Sequence, residues 1–159
     1  MKPKIELKIA QTTIDFTHAK KLIMEYVSWL GIDLSFQNFD QEMAGLPQMY
    51  RPEDGGLFIA SINDEAVGIA GLRRFNSKDG EIKRMYVQPN SRGMGIGQLL
   101  LVQCIGKAKE LGYDTIKLDT AEFMESAIKL YTGNGFVEIG AYRYNPHEAT
   151  KYYKLSLKK

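Results

Sequence analysis

One stretch near the middle of the chain, residues 81–111, constrains the fold more than any other. It opens with Glu81 to Val87, a run that ends in aromatic and β-branched residues and is stopped by Pro89, as is typical of a strand. Three glycines in five residues follow, at positions 93, 95 and 97. Apolar residues then recur at helical spacing from Gln98 to Leu111, and Gly112 suits the left-handed residue that ends many helices. The stretch predicts a strand, a tight loop and a helix in succession.

The glycine loop is typical of an anion-binding site. Glycines carry no side chain that would keep a phosphate from the backbone, and the N–H groups at a helix N-terminus point outward. Two common phosphate loops do not fit this sequence. A P-loop needs Lys and then Ser or Thr after its last glycine, where this chain has Gln98 and Leu99. A dinucleotide fingerprint needs a glycine three residues after the middle one, and Gln98, Leu100 and Leu101 occupy that part of the chain.

The spacing Arg92-x-x-Gly95-x-Gly97 resembles the pyrophosphate loop of the GNAT superfamily, the acyl-coenzyme A-dependent N-acyltransferases. A second stretch is similar to the other coenzyme A motif of this family: Leu118-Asp119-Thr120, followed by Ala127-x-x-Leu130-Tyr131-x-x-x-Gly135-Phe136. The elements around both motifs also appear in the family's order, so the resemblance covers nearly the whole chain, residues 5–157. On this basis the chain is identified as a member of the family.

The remaining sequence agrees with the fold that the resemblance implies. Ile5 to Ala10 alternates as a strand, and Asp15 can cap a helix that ends at Gly31. Residues 57–62 and 66–75 predict a hairpin across the short polar link 63–65, and two more strands are expected at residues 135–139 and 151–157. We predict one α/β (α+β) domain over residues 1–159. Its central, mixed but mostly antiparallel sheet has about seven strands, flanked by about four helices.

The resemblance also implies the acyl donor, acetyl-coenzyme A (acetyl-CoA), and the residues that hold it. Backbone N–H groups of the loop would bind the pyrophosphate, and the pantetheine arm would pair with the end of the fourth strand. The predicted binding residues are Met85, Tyr86, Val87, Arg92, Gly93, Met94, Gly95, Ile96, Gly97 and Gln98. The family often has an Asn that contacts coenzyme A three residues before Ala127; this chain has Met124 there, which puts that contact in question.

Two residues are predicted to move protons. An amine with a pKa of about 10.4 is mostly protonated at pH 7, so a base is useful, and Glu81 stands where several family members place a general-base glutamate. Alternatively, Glu81 pairs with Lys83 or with an arginine of the neighbouring strand, Arg73 or Arg74, and water relays the proton. Tyr131 stands where the family places the general acid that protonates the leaving thiolate, although packing alone could also explain it.

Several other expectations come from the residues themselves. Period-two alternation in the fourth strand puts Glu81, Lys83, Met85 and Val87 on one face and Ile82, Arg84 and Tyr86 on the other. Trp29 and Cys104 are interpreted mainly as packing residues. The segments 33–50 and 142–147 are expected to line the acceptor pocket, with Glu42 a plausible contact and His147 a weak candidate for a second base.

Composition excludes other classes of function. The net charge of +2 over 159 residues is too small to indicate nucleic acid or an anionic membrane as a partner. With one cysteine, Cys104, no internal disulfide is possible, and no stretch is a signal peptide or a membrane span. We therefore expect a cytoplasmic protein. No His, Cys or Asp cluster has the spacing of a metal site, so none is expected.

The resulting hypothesis is an N-acetyltransferase that moves acetyl from acetyl-CoA to a primary amine, favoured to be a small molecule, by direct attack in a ternary complex. A non-catalytic module that binds acyl-CoA is the alternative, and a nucleotide-dependent enzyme ranks third because both nucleotide fingerprints fail. The oligomeric state is open. A homodimer is one expectation, since the last strand is expected to be exposed and could pair with a second copy.

Overall fold

The computed structural model describes residues 4–31, 39–145 and 149–158. Within these ranges the chain forms seven strands and five α-helices. The strands are β1 (Ile5–Ile9), β2 (Gly56–Ile62), β3 (Glu65–Arg74), β4 (Asp79–Val87), β5 (Thr115–Ala121), β6 (Val137–Ile139) and β7 (Thr150–Ser156). The helices are α1 (Thr13–Leu30), α2 (Phe39–Ala44), α3 (Leu46–Met49), α4 (Ile96–Glu110) and α5 (Glu125–Gly133), with a 3-10 turn at Pro89–Ser91.

The seven strands form one sheet in the order β1-β2-β3-β4-β5-β7-β6. All neighbours are antiparallel except β4 and β5, so the predicted mixed, mostly antiparallel sheet is confirmed. The expectation of an exposed last strand is wrong, because β7 lies between β5 and β6 and is hydrogen-bonded on both sides. The sheet edges are β1 and β6, and a dimer through the edge of β7 is excluded by this pairing.

The first helix begins with a capping box. Thr12 is the N-cap, and its hydroxyl accepts a hydrogen bond from the Asp15 N–H (3.1 Å). The Asp15 carboxylate in turn accepts from the N–H groups of Thr12 (3.2 Å) and Gln11 (3.0 Å). Asp15 is therefore the third residue of the helix, and its carboxylate forms one half of the capping box. The sequence prediction that Asp15 is the cap is wrong, because Thr12 occupies that position. Gly31 ends the helix in the left-handed region as predicted, with φ 70°.

Apolar clusters cover both faces of the sheet. On one face α4 packs through Ile96, Leu100, Leu101, Cys104 and Ala108. On the other face α1 packs through Ala19, Leu22 and Ile23, joined by α3. The two-layer cover explains why the central strands β2 and β3 are buried along most of their length. The predicted core position of Cys104 is confirmed, since its side chain is fully buried.

A bulge in β4 breaks the alternation that the sequence predicted. Arg84 has φ 61°, and the pairing with β3 shifts between Ile69↔Tyr86 and Gly71↔Lys83. As a result Met85 packs in the cluster under α4 with Ile82, whereas Tyr86 packs in the cluster under α1. The predicted grouping of Ile82, Arg84 and Tyr86 on one face, and of Glu81, Lys83, Met85 and Val87 on the other, is therefore wrong past residue 83. An extra residue in one strand reverses the face of every residue after it.

Candidate active site

The sheet opens between its two parallel strands. β4 and β5 pair only over Asp79–Glu81 and Thr115–Lys117, while β4 continues six residues further along β3 to Val87. Beyond Glu81 the edge of β4 that would face β5 thus has no strand partner among the described residues. The Arg84 bulge lies just past this point, where it bends β4. A gap flanked by backbone N–H and C=O groups results, and an extended ligand can enter it as a strand would.

The glycine loop lies at the mouth of this gap. Gly93 and Gly95 both have φ 80°, a conformation that residues with a side chain rarely adopt. Gly95 is the N-cap of α4, and an added Cβ at either glycine would meet no atom within 4 Å. The space beside the first turn of α4 is therefore open, next to N–H groups that have no partner within the helix. This is the geometry of an anion site.

An open groove of about 660 Å³ runs past the loop. It is lined by Met85, Tyr86, Val87, Arg92, Gly93, Gly95, Ile96, Gly97 and Gln98, and on the opposite wall by Phe123 to Ala127 with Leu130. The structure thus brings together all of the predicted acetyl-CoA residues except Met94, which packs against the α4 cluster instead. On the opposite wall, Ala127 and Leu130 belong to the second coenzyme A motif, and Met124 raised a question from sequence. Phe123, Glu125 and Ser126 were not singled out.

Arg92 is fixed at the edge of the groove by three contacts. Its Nε donates to the Val87 carbonyl (2.9 Å), and its guanidinium lies 4.8 Å from the Trp29 ring centroid and 5.9 Å from that of Tyr86. Trp29 also stacks on Tyr26, with centroids 6.4 Å apart, yet remains 44% exposed and lines the groove. Trp29 thus packs against Tyr26, as interpreted from the sequence, and also lines the groove. A cation held on an aromatic face keeps its outer edge available for a phosphate.

A second, much smaller cavity of about 30 Å³ lies deeper in the gap. Its walls come from both separated strands, from α1 and from α5, and they share Met85 and Met124 with the groove. The full lining is Tyr26, Ile82, Lys83, Arg84, Met85, Asp119, Thr120, Met124 and Tyr131. The predicted acid Tyr131 is thus at this cavity, whereas the predicted base Glu81 is not among the residues that line it.

Glu81 is buried within a cluster of cations and tyrosine. Its Oε1 accepts from Arg73 Nε (2.9 Å), and its Oε2 accepts from Tyr142 Oη (2.7 Å) and from Arg143. Burial alone would raise the pKa of Glu81, but the charges of Lys83, Arg143 and Arg73 outweigh it and hold the pKa below its usual range. The pairing with Arg73 that the sequence offered as an alternative is confirmed; Arg74 pairs with Asp54 instead.

Several residues that line the inner cavity have shifted pKa values. Burial raises the pKa of Tyr131 far above its usual range, so the phenol carries its proton at neutral pH. Burial, with the nearby Arg84 charge, lowers the pKa of Lys83 to about 8. Asp119 has a raised pKa, again because of burial, partly offset by Lys83. Perturbed groups collected in one cavity are a mark of a functional site.

The predicted acceptor segments flank the same region. Tyr142 and Arg143 reach Glu81, while Phe39 of α2 lies over the Arg84 guanidinium, 5.5 Å from its carbon to the ring centroid. Glu42 is not available as a substrate contact, because its buried carboxylate binds Arg84 (2.7 and 2.9 Å) and the Tyr50 hydroxyl (3.0 Å). His147, the weak candidate for a second base, lies outside the described residues.

Comparisons with known proteins agree with this geometry. The model of the Acetyltransferase (GNAT) family matches residues 22–136. An uncharacterised N-acetyltransferase from Schizosaccharomyces pombe is 35% identical over 164 aligned positions, covering 100% of this chain and 99% of that protein. A GNAT-family acetyltransferase structure from Staphylococcus aureus superposes with a TM-score of 0.82 at 24% identity, covering 98% of this chain and all of that one.

One of the similar solved structures contains acetyl-CoA. A Salmonella typhimurium protein solved with its cofactor acetyl-CoA superposes with a TM-score of 0.73 at 15% identity, covering 98% of this chain and 95% of that chain. At this identity the likeness concerns the fold alone. Within the described part of the chain, no helix combines the length and the apolar character needed to cross a membrane.

Proposed function

Because this chain belongs to the GNAT family of acetyltransferases, we propose that it transfers the acetyl group of acetyl-CoA to a primary amine of a small molecule, by direct attack in a ternary complex. The observation that carries the proposal is the continuity of the gap between β4 and β5. A groove beside the glycine loop, large enough for a cofactor-sized ligand, meets a small polar cavity at Met85 and Met124. A long donor in the groove would thus present its acyl end to the cavity.

The residues fit acetyl-CoA by their chemistry. The open N–H groups around Gly93, Gly95 and the first turn of α4 suit a pyrophosphate, and Arg92 adds a fixed positive charge. The free edge of β4 at Met85 to Val87 suits the amide-bearing pantetheine arm, whose peptide-like groups can replace a neighbouring strand. Bound acetyl-CoA would supply the activated thioester, and the chain's own residues would then position the amine and move its protons.

Tyr131 is the proposed proton donor to the leaving sulfur. It lies 4% exposed at the inner cavity, packed against Phe136 with ring centroids 5.8 Å apart. Its raised pKa keeps the phenol protonated, so a proton is always available as negative charge develops on the sulfur. Return of a proton to Tyr131 from the amine side must accompany this step, because a phenol of high pKa does not remain ionised.

Side chains from several elements cover the inner cavity, and this favours a small acceptor over a protein. Tyr26 of α1 lines it, Phe39 of α2 lies on its Arg84, and Tyr142 and Arg143 close over the adjacent Glu81. A bulky protein substrate would have to displace several of these side chains to bring an amine to Tyr131. A compact amine needs only the space between them.

Binding and turnover should be measured together. Isothermal titration with acetyl-CoA is followed by a thiol-release assay over amines, polyamines, amino acids and peptides. The single cysteine, Cys104, is buried and will not react with the thiol reagent, so released thiol reports only coenzyme A. We expect binding, and turnover with one class of small amine. Binding without turnover would favour the non-catalytic module, and absence of binding would contradict the assignment of the groove.

A pair of glycine variants tests the loop itself. Gly95→Glu adds a carboxylate in the open space where the pyrophosphate is proposed to lie, and forces a side chain onto a residue with φ 80°. Gly106→Glu, on the exposed side of the same helix α4, adds the same side chain away from the groove. We expect the Kd for acetyl-CoA to rise by at least about tenfold in the first variant and to stay unchanged in the second.

A further inference from the structure

We infer that Asp119, rather than Glu81, is the carboxylate that receives the acceptor amine and takes its proton. This inference rests on the proposed acetyl transfer and assigns one further residue to it. Asp119 lies on β5, across the sheet gap from β4, and lines the same inner cavity as Met85 and Tyr131. Both proton-transfer groups would then come from the lining of this one cavity, Asp119 from β5 and Tyr131 from α5.

The first argument is hydrogen-bond accounting. Oδ2 of Asp119 is buried and accepts no hydrogen bond from any residue in the ranges 4–31, 39–145 and 149–158. A buried carboxylate oxygen without a donor is costly, and native proteins keep few of them without a functional reason. No other described side-chain nitrogen or oxygen is both buried and unsatisfied. An ammonium or amine N–H of an acceptor in the cavity is the kind of donor that would satisfy this atom.

The second argument compares the two carboxylates as bases. Glu81 already accepts from Arg73, Tyr142 and Arg143, so both of its oxygens are engaged and its pKa is held low. A base must accept a proton during the reaction, which is unfavourable for an anion surrounded by cationic donors. Asp119 has a free oxygen and, because of burial, a raised pKa. Of the two groups, Asp119 is therefore the better proton acceptor.

The charged and titratable groups around Asp119 determine how mutation of a neighbour should change its pKa. The titratable groups that act on it or are acted on by it come from five elements or loops: Glu81, Lys83 and Arg84 of β4, Arg143 and Tyr142 of the β6–β7 loop, Tyr152 of β7, Tyr131 of α5 and Tyr26 of α1. Among these groups, the charge of Lys83 has the largest effect on the pKa of Asp119, and it favours the ionised carboxylate. Removing that cation should raise the pKa of Asp119 further.

The chemical step balances with these groups alone. The ammonium form of the acceptor first releases one proton to solvent. The neutral amine nitrogen then forms a bond to the thioester carbonyl carbon and gives its next proton to the Asp119 carboxylate. The carbon–sulfur bond breaks, and the sulfur takes the proton of Tyr131, which leaves free coenzyme A and the N-acetylated product. The proton on Asp119 then passes to the Tyr131 phenolate, directly or through water. Both residues return to their starting states, and no further reactant is consumed.

The test uses three aspartate or glutamate variants of the full chain with the best amine from the acceptor panel. We expect Asp119→Asn to lower kcat by about 10²–10⁴-fold, the usual contribution of general acid–base catalysis, and to remove the acidic limb of the kcat/KM profile. Glu81→Gln should retain more activity and keep that limb. Asp114→Asn, just before β5 and paired with Lys158 at 3.0 Å, makes the same chemical change outside the cavity and should match wild type.

Two readouts other than activity of the complete reaction keep the inference open to refutation. In protein labelled with carbon-13 at aspartate carboxyls, the signal lost in Asp119→Asn should titrate above the ordinary value of about 3.9. In Lys83→Met, that titration should move to higher pH. A signal that titrates at or below the ordinary value would overturn the inference, as would full activity in Asp119→Asn. If wild type acetylates no amine, the proposed function fails first and the role of Asp119 falls with it.

Discussion

The ion pair between Glu42 and Arg84 gives the sharpest prediction about stability. It connects α2 to the bulge of β4, and its two side chains are 1% and 5% exposed. The Glu42 carboxylate accepts three hydrogen bonds, two from Arg84 (2.7 and 2.9 Å) and one from Tyr50 (3.0 Å). Glu42→Gln keeps the shape and one acceptor oxygen but removes the charge, so Arg84 keeps a buried positive charge without its carboxylate. Breaking a buried pair in this way costs about 3–5 kcal/mol.

We expect the loss to fall near the lower end, about 3 kcal/mol of unfolding free energy, because the amide oxygen can still accept one of these bonds. Equilibrium urea unfolding at pH 7 measures it. Asp40→Asn, an exposed position on the same helix, is the matched control and should change stability by less than about 0.5 kcal/mol. A loss below about 1 kcal/mol in Glu42→Gln would place the pair with ordinary surface ion pairs and refute the reasoning.

The pH dependence gives an independent check with a definite sign. Burial alone would raise the pKa of Glu42, but the hydrogen bonds and charge of Arg84 outweigh it, and the pKa in the folded state lies below its usual value. The stabilisation is therefore complete above the unfolded-state pKa of about 4.3, and it is lost as the pH falls toward and through the lower folded-state value. The stability gap between wild type and Glu42→Gln should narrow in acid. A constant gap from pH 7 to pH 3 would contradict this assignment.

Four further predictions concern the cap, the acid, the groove and the core. Thr12→Ala removes half of the capping box and should cost about 1 kcal/mol in urea unfolding; an unchanged midpoint would refute the role of the box. Tyr131→Phe should lower kcat at least about tenfold while titration shows unchanged acetyl-CoA affinity, and equal turnover would remove Tyr131 from the chemistry. Trp29→Ala should weaken acetyl-CoA binding several-fold, whereas Met24→Ala, also exposed on α1, should not. Cys104 should react with a thiol reagent only in denaturant, because its fully buried thiol has a raised pKa; rapid reaction in the native protein would contradict its burial.

The sequence predicted an element well where that element depends only on residues close together in the chain. The glycine loop, the helix after it and the left-handed ends at Gly31 and Gly112 depend on residues within one or two turns of each other. The hairpin at Asn63 and Asp64 is also local, and both residues have positive φ as a two-residue turn requires. The segment 33–50 was predicted to line the acceptor pocket, and its residues 33–38 lie outside the described ranges. Of its residues, 39–49 form the short helices α2 and α3, which raises the predicted count of about four helices to five among the described residues.

Features that depend on distant parts of the chain could not be read from local pattern. The place of β7 between β5 and β6 is decided by pairing between strands far apart in sequence, and nothing within residues 150–156 marks it as internal. The bulge at Arg84 likewise depends on Glu42, 42 residues away, because a non-glycine residue with φ 61° needs contacts that outweigh its strain. Period-two reasoning assumes that no such residue is present, so it failed in β4 past residue 83.

This interruption also explains why sequence reasoning selected Glu81 and passed over Asp119. Glu81 was selected because of its position relative to the glycine loop. Its carboxylate is engaged by Arg73 on a neighbouring strand and by Arg143, which is 62 residues away, and neither contact is decided by the local sequence alone. Asp119 stood within the second coenzyme A motif as an ordinary polar residue of β5. Its distinguishing property is an unsatisfied buried oxygen, which exists only because β4 and β5 separate after three paired positions. If β4 and β5 stayed paired along their whole length, the space between them at Asp119 would be closed, and no cavity would remain there to receive an amine.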